Sequence, residues 1–140
     1  MRTVVRMAHE GAKVLREWES VRQIPEEGYR RWFTDQNFDL IVWYPDERQT
    51  EITGFQLCYD KASHERALTW KKSEGYLHNR IDDGELPFGN KRTPILVADG
   101  YFSRDSVRDS FQRAATQIDH RITSFVVNVL NDFSDDQMVP

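Results

Sequence analysis

Short runs of hydrophobic residues, separated by turn-forming residues, fill the middle of the chain. β-Branched and aromatic residues dominate these runs, and their length and composition are typical of strands. Pro, Gly, Asp and Ser stand between them, as expected for hairpin turns. Four runs, which we interpret as an antiparallel meander, are FDLIVWY, EITGFQLCY, RALTWK and YLHNRI. A further run, TPILVADG, predicts a fifth strand that ends in an Asp-Gly turn.

The pattern changes to a helical period towards both ends of the chain. From about Arg104 to Asn131, apolar residues recur at alternating steps of four and three, which predicts one long amphipathic helix with Ser103 as its cap. The residues of this stripe are Val107, Phe111, Ala114, Ile118, Ile122, Phe125 and Val129. Similar spacing from Val4 to Val21 predicts an N-terminal helix, although Gly11 in its middle weakens it.

These elements predict a single α+β domain over residues 1–140. We expect an antiparallel sheet of about five strands, with the long C-terminal helix packed on its apolar face. The chain contains no internal repeat and no low-complexity linker, so no domain boundary is predicted.

Hairpin geometry predicts which residues of neighbouring strands face each other. Turns centred on residues 47 and 48, 62 and 63, and 73 and 74 pair Leu40 with Phe55, Phe55 with Trp70, and Trp70 with Leu77. Side chains alternate between the two faces of a sheet, so one face becomes apolar. Its residues are Leu40, Val42, Phe55, Leu57, Leu68, Trp70, Leu77 and Ile81. A slip of one residue would place polar side chains among them.

The opposite face of the predicted sheet carries polar groups in a row across four strands. The row consists of Asp39, Gln56, Thr69 and His78. Beside it lie Arg80, Lys71, Trp43 and Ile41, and Gly54 leaves a gap without a side chain. An imidazole with an ordinary pKa of about 6.5 can act as a base where a carboxylate orients it. Three interpretations stay open: a solvated outer face, a ligand or catalytic surface, and a face buried by a second subunit.

The stretch HNRIDDGE contains the densest group of polar residues, and its Asp83-Gly84 pair indicates a turn. Calcium-loop spacing is absent, because Ile81 and Asn90 would occupy ligand positions. Zinc spacing is also absent, and we predict neither a metal nor a cofactor. A hard cation bound by the acidic side chains of this turn stays an alternative; these are Asp82, Asp83 and Glu85.

Two other stretches are interpreted as structural. A single cysteine in a strand, Cys58, is most simply a small packing residue. The segment YRRWF predicts a loop that inserts Trp32 and Phe33 into the core, although Arg30 and Arg31 could also clamp an anion.

Composition and charge narrow the class of protein. The chain carries 19 Lys and Arg against 23 Asp and Glu, a net charge of −4, which disfavours nucleic acid as the main partner. One cysteine excludes an internal disulfide and suits a reducing compartment. No apolar run is long enough for a membrane span, and the first residues do not resemble a signal peptide. We therefore expect a cytoplasmic domain without a membrane partner.

The segments FDLIVWY, GFQLCYDK, ERALTW and RIDDGE together resemble small uncharacterised bacterial proteins with no assigned activity. The resemblance covers roughly residues 30 to 100. It implies a bacterial cytosolic protein and carries over no catalytic residue.

Two functional hypotheses follow from the sequence. The first is a non-enzymatic binding or interaction domain, homodimeric or with another protein partner, whose outer sheet face or edge buries Ile41 and Trp43. The second is a small hydrolase-like enzyme with His78 as general base and Asp39 as orienting carboxylate; Arg80 or Lys71 would stabilise an anion. The second requires Asp39 and His78 to lie on the same face of the sheet, so geometry separates the two.

Overall fold

The computed structural model describes residues 14–62, 64–82, 95–98 and 102–134, which form an antiparallel sheet and two helices. Seven strands lie side by side in chain order, each antiparallel to the next. They are β1 (Arg16–Trp18), β2 (Tyr29–Thr34), β3 (Asp39–Tyr44), β4 (Gly54–Tyr59), β5 (Arg66–Lys71), β6 (Gly75–Asp82) and β7 (Ile95–Ala98). The helices are α1 (Arg104–Ala114) and α2 (His120–Asp132), and a 3-10 turn covers Pro25–Glu27. The α+β class and the antiparallel meander are confirmed.

Two strands precede the predicted meander. Most of the predicted N-terminal helix lies outside the described residues, but Arg16–Trp18 forms β1, so the prediction is wrong there. YRRWF forms most of β2 instead of a loop. Phe33 is in the core at 1% exposure, whereas Trp32 faces the other side of the sheet. Because Arg30 and Arg31 are adjacent, the alternation of polar and apolar residues that would identify β2 as a strand is not evident in the sequence.

The long C-terminal helix is interrupted between Ala115 and Asp119. The Ala115 N–H donates to the Phe111 carbonyl at the end of α1. A second helix then begins because the Asp119 side chain accepts a hydrogen bond of 3.0 Å from the Arg121 N–H, as an N-cap does. Apolar spacing alone does not reveal this break, because the stripe continues with an uninterrupted period into α2.

Both helices pack against one face of the sheet and close the core. The sheet contributes Phe33, Leu40, Val42, Tyr44, Phe55, Leu57, Tyr59, Leu68 and Tyr76. The helices contribute Val107, Phe111, Ala114, Ile122, Val126, Val129 and Leu130. Phe38 meets Phe111 edge-on at 6.0 Å between ring centroids. We call this side of the sheet the helix face and the other the outer face.

The register of the first two predicted hairpins preserves the predicted faces. β4 and β5 pair as expected, with Phe55 opposite Trp70 and their rings stacked at 6.1 Å. In the first hairpin Leu40 faces Leu57 and not Phe55. Because that shift is two residues, every side chain stays on its predicted face.

The register of the third hairpin differs from the prediction by one residue, and this difference exchanges the two faces of β6. Trp70 faces Tyr76 and not Leu77, because residues 72 to 74 form a three-residue turn closed by Gly75 at a φ of 87°. Three-residue turns of this kind need a residue with positive φ, which glycine supplies. Leu77 and Ile81, predicted for the core, therefore lie on the outer face, and His78 lies on the helix face.

The turn between β2 and β3 depends on a buried carboxylate. Asp35 Oδ1 accepts hydrogen bonds from the N–H groups of Asn37 (2.7 Å) and Phe38 (2.6 Å). Asp35 Oδ2 is buried without a hydrogen-bond partner among the described residues. Desolvation by burial raises the pKa of this carboxyl, against the opposing effect of the two backbone hydrogen bonds.

We expect Asp35→Asn to be at least as stable as wild type at pH 7. The amide oxygen keeps both backbone hydrogen bonds and removes the cost of a buried charge. Because the Asp35 pKa is raised in the folded state, ionisation of this carboxyl destabilises the fold as pH rises above the ordinary pKa of an aspartate. The stability advantage of Asp35→Asn over wild type should therefore grow from pH 3 to pH 7. Urea denaturation at both pH values tests this. Asp35→Ala, the control, should lose about 1 kcal/mol with the turn hydrogen bonds, and an equal loss in Asp35→Asn would contradict the prediction.

Candidate functional site

The polar row predicted from the sequence does not form. On the outer face, Ile41 lies opposite Gln56, Gln56 opposite Thr69, and Thr69 opposite Leu77. Gln56 and Thr69 do come together, since Gln56 Nε2 donates to Thr69 Oγ1 at 2.9 Å. The two ends of the row were misplaced by the register differences described above.

Asp39 belongs to a network at the end of the sheet. Its Oδ1 accepts hydrogen bonds from Thr34 Oγ1 at 2.6 Å and from Lys61 Nζ at 3.0 Å. Lys61, in the turn after β4, also donates to the Asp35 carbonyl at 2.9 Å. The lysine thus neutralises the carboxylate and ties three segments together. The sequence gives no signal for this role, because a turn lysine is most simply solvated.

His78 lies on the helix face and is 2% exposed. Its Nε2 shares a hydrogen bond of 2.5 Å with the Tyr59 hydroxyl, and the two rings stack at 5.9 Å. Phe102 packs against the imidazole at 5.2 Å. Asp39 is on the other side of the sheet, so the predicted outer-face pairing of this carboxylate with a His78 base is wrong. Arg80 shares the face of His78 and is exposed.

Aromatic and aliphatic side chains cluster on the outer face over β1 to β3. Trp18 lies opposite Trp32, and Trp32 opposite Ile41. Trp18 is 53% exposed and is the one exposed large hydrophobic residue in the described part of the chain. Trp32, Ile41 and Trp43 are half-buried. We call these four residues, Trp18, Trp32, Ile41 and Trp43, the tryptophan face.

Two predicted ligand-binding residues meet at the margin of the tryptophan face. Lys71 Nζ lies 5.4 Å from the centroid of the Trp43 ring, within cation–π range. Gly54 separates their strands, and a Cβ there would stand 2.7 Å from the Trp70 carbonyl oxygen and 3.3 Å from Trp43 Cε3. A glycine is therefore required at this position, because the Trp70 backbone and the Trp43 indole leave no room for a side chain. The resulting groove measures about 510 Å³.

The described strand positions of the outer face carry more cations than carboxylates, although two glutamates border them: Glu27 beside Trp43 and Lys71, and Glu19 beside Trp18 and Arg30. Its described strand positions carry three cations, Arg16, Arg30 and Lys71. The carboxylate on these positions is Asp39, which Lys61 neutralises. The chain as a whole carries a net charge of −4. The strands of this face therefore combine three indoles, one of them exposed, with positively charged side chains.

Nucleophile and metal chemistry find little support on this side of the sheet. Burial raises the pKa of the Cys58 thiol to about 12, so a thiolate is not present at neutral pH. Within the described ranges, no three His, Cys, Asp or Glu side chains converge as metal ligands. The predicted cation alternative at Asp83 and Glu85 lies outside those ranges. In the part of the chain that the structure describes, no helix is long and apolar enough to cross a membrane.

Comparison of the chain with protein-family models, curated proteins and solved structures finds no match. The resemblance to uncharacterised bacterial proteins therefore stays a prediction, and function is argued from geometry alone.

Proposed function

We propose that this protein is a non-enzymatic protein-binding domain whose tryptophan face binds an acidic segment of a partner protein. The observation that carries the proposal is the row formed by Trp18, Trp32 and Ile41 on the face opposite the helices, with Trp18 53% exposed. Of the predicted ligand-binding residues, Trp43 and Lys71 contribute to this surface.

A row of indoles on the sheet face opposite the helices, with one indole 53% exposed, is unusual unless something covers it. Single exposed apolar residues are common on proteins, but contiguous aromatic patches mark interaction sites. Tryptophan is also the residue type most enriched among those that dominate binding energy, because it buries a large, rigid area. The helices bury the other face of the sheet, so these rings add nothing to the core.

Charge favours an acidic partner over a second copy of this chain. A two-fold symmetric dimer through the tryptophan face would bring Arg16, Arg30 and Lys71 towards the same three cations. Like charges across an interface suppress association, whereas carboxylates would pair with them. The homodimer interpretation is therefore an outcome of the test and not the proposal. Single-stranded nucleic acid, which also stacks on aromatic rings beside cations, is the second such outcome.

The hydrolase-like alternative has no comparable support. Its base and its orienting carboxylate, His78 and Asp39, lie on opposite faces of the sheet, and both already make hydrogen bonds within the fold.

Selection from a random peptide library on the immobilised wild-type protein tests this function. The enriched peptides should be acidic with interspersed aromatic or aliphatic residues. Their binding should weaken about tenfold or more in Trp18→Ser, the loss typical of a dominant interface residue. Lys71→Glu should weaken them similarly through charge repulsion. Lys72→Glu is the matched control. This neighbouring lysine pairs with Glu51 and lines a separate cleft beside Trp70. Because Lys72 is not part of the tryptophan face, peptide binding should be unchanged.

Three results would contradict the proposal. Peptides that bind Trp18→Ser as well as wild type would show that another surface is used. Binding of a single-stranded oligothymidylate that Trp18→Ser abolishes would indicate a nucleic-acid interface. A concentration-dependent dimer in sedimentation that Trp18→Ser dissolves would indicate self-association.

A further inference from the structure

The strand β1 forms one edge of the sheet. It pairs with β2 on one side, and no strand of the described residues pairs with its other side. All three residues of β1 are exposed. An unpaired edge presents backbone N–H and C=O groups to which another chain can bond as an added strand. Because β1 carries Trp18, this edge also borders the tryptophan face.

The turn between β2 and β3 shows which backbone groups of β2 are directed towards β1. The Asp35 N–H donates to the Phe38 carbonyl at 2.9 Å and closes this turn. The backbone groups of successive residues in an antiparallel strand point alternately to its two neighbours. Phe33, two residues before Asp35, therefore bonds to β3. Thr34 and Trp32 bond to β1.

The central residue of β1, Glu17, directs its backbone away from β2. Arg16 and Trp18 lie opposite the two β2 residues whose backbone bonds to β1, so their own N–H and C=O groups point to β2. Leu15 alternates with them in the same way as Glu17, and its N–H donates to the Ala114 carbonyl at 2.7 Å and not to β2. Among the described residues, the Glu17 N–H and C=O have no hydrogen-bond partner. One donor and one acceptor are therefore open to an added strand.

The side chains of β1 select the residues of such a strand. In an antiparallel pair, the residue opposite Glu17 exchanges two hydrogen bonds with it, and its side chain lies on the helix face. The residues before and after it lie on the outer face, opposite Trp18 and Arg16. Apolar pairs and pairs of opposite charge are favourable across strands, whereas like charges directly opposite are unfavourable. The added strand should therefore contain, in chain order, an aromatic or aliphatic residue, an uncharged residue and an acidic residue.

A second copy of β1 fits this edge poorly. A two-fold symmetric pairing about Glu17 places one Glu17 side chain directly opposite the other, which is unfavourable. A pairing displaced along the strand places Glu17 opposite Glu19, with the same result. Glu19 also borders Trp18 and disfavours an acidic residue beyond it, so the acidic residue of a partner belongs opposite Arg16.

We propose that the acidic partner segment binds as an additional strand, antiparallel to β1, with its backbone bonded to Glu17 and an apolar side chain beside Trp18. This inference rests on the proposed function and deepens it, because it names the conformation and the residue order of the ligand. Antiparallel pairing is slightly more stable than parallel pairing and continues the pattern of the sheet. The added side chain extends the row of Trp18, Trp32 and Ile41 by one strand.

Fluorescence anisotropy with a labelled nonapeptide tests this inference. The peptide carries Trp-Val-Glu at its centre, flanked by Thr, Gly and Ser, and its Val is the residue that would bond to Glu17. N-Methylation of the Val amide should weaken binding to the wild-type protein about tenfold or more, because it removes a hydrogen bond and its methyl group blocks the approach of the strand. N-Methylation of the Glu amide, which points away from β1, is the matched control and should leave the affinity unchanged. A peptide with the reversed centre, Glu-Val-Trp, should bind more weakly.

Amide hydrogen exchange, followed by NMR, gives a second measurement on the protein itself. The Glu17 amide should become protected from exchange in the complex with the unmodified peptide. The amides of Arg16 and Trp18 should change little, since they already bond to β2. No change at Glu17 in the saturated complex would contradict the inference.

The outcomes separate this inference from the proposed function. Equal affinities of the unmodified and both N-methylated peptides, lost in Trp18→Ser, would overturn strand addition and leave the proposed function standing. Equal binding of the reversed peptide would overturn the antiparallel residue order. If the unmodified peptide does not bind the wild-type protein, the inference is wrong, and the peptide selection described above then decides the proposed function on its own.

Discussion

Replacing Arg31 with alanine is expected to lower the free energy of unfolding by about 3 kcal/mol, the lower end of the cost of removing one partner from a buried ion pair, because the Glu17 side chain is 36% exposed. The Arg31 side chain is 15% exposed. Its Nε and Nη2 donate to the Glu17 carboxylate at 2.9 and 2.8 Å, and its Nη1 donates to Asp119 Oδ2 at 3.2 Å. One guanidinium thus joins β1, β2 and the start of α2.

The loss is large because alanine would leave the Glu17 carboxylate without its cation and would leave Asp119 with Arg121 alone. Glu17 and Asp119 would face each other across the vacated space, and the Nη1 bond of 3.2 Å to Gln49 would also be lost. The guanidinium also lies 5.2 Å from the Phe33 ring centroid, so its removal opens space above a core residue. Each effect acts in the same direction.

The loss should diminish in acid. Hydrogen bonds from Arg121, and then from Arg31, lower the pKa of Asp119 to about 2, despite the opposing effect of burial. A carboxylate with a lowered pKa stabilises the fold above its ordinary pKa, and this contribution is lost as pH falls towards 2. The difference between wild type and Arg31→Ala should therefore shrink between pH 4 and pH 2, because the protonated carboxyl no longer needs its cation.

Two variants serve as controls in urea denaturation at pH 7. Arg31→Lys keeps the charge but loses the bidentate geometry, so its stability should lie between those of wild type and Arg31→Ala. Arg48→Ala removes an exposed ion pair with Asp46, in which the arginine side chain is 79% exposed, and should change little. If Arg31→Ala costs no more than Arg48→Ala, the network does not hold these elements together.

The faces of β3, β4 and β5 were predictable because strand alternation does not depend on a particular turn. The first hairpin differs from its predicted register by two residues, yet Leu40, Val42, Phe55 and Leu57 still face the helices. Only an odd shift moves a side chain through the sheet. The two-residue error in register therefore left the predicted core residues correct, although it placed Asp39 opposite Cys58 and not opposite Gln56.

The face of β6 was not predictable, because its sequence is consistent with either choice. Leu77 and Ile81 alternate with Tyr76, His78 and Arg80, and the apolar pair alone favours the core. In the structure the three-residue turn and the contacts with the helices place Tyr76 and His78 on the helix face. The Tyr76 hydroxyl donates to the Val129 carbonyl of α2 at 2.7 Å, a contact between residues distant in sequence. The predicted site was therefore wrong, because His78 does not lie on the same face as Asp39.

The tryptophan face was missed in part because β1 and β2 were not predicted as strands. The alternation of Tyr29, Arg31 and Phe33 on one face with Trp32 and Thr34 on the other was the available signal. Two adjacent arginines in a short segment are typical of a solvent-exposed loop. In the structure one of them, Arg31, is instead largely buried and pairs with carboxylates from distant segments. Spacing along the chain cannot reveal such an arrangement, since Arg31 and Asp119 meet only after the helices pack.

His78→Ala is expected to destabilise the protein by about 3 kcal/mol, because it removes a buried ring together with its hydrogen bond to the Tyr59 hydroxyl. His78 is 2% exposed, and its imidazole bonds to the Tyr59 hydroxyl and packs on Phe102. His78→Phe should recover part of the loss by filling the space, but not all of it, because phenylalanine does not replace the hydrogen bond between the imidazole and the Tyr59 hydroxyl.

Leu77→Ala is the matched control, since Leu77 is the adjacent residue on β6 and is half-buried on the outer face. It should cost less than about 1.5 kcal/mol, because truncating a half-buried side chain leaves no enclosed cavity. Urea denaturation of both variants at pH 7 compares them directly. The two residues exchange faces under a one-residue slip of β6, so the order of the two losses reports the register itself. A larger loss in Leu77→Ala would mean that His78 lies on the outer face and does not bond to Tyr59.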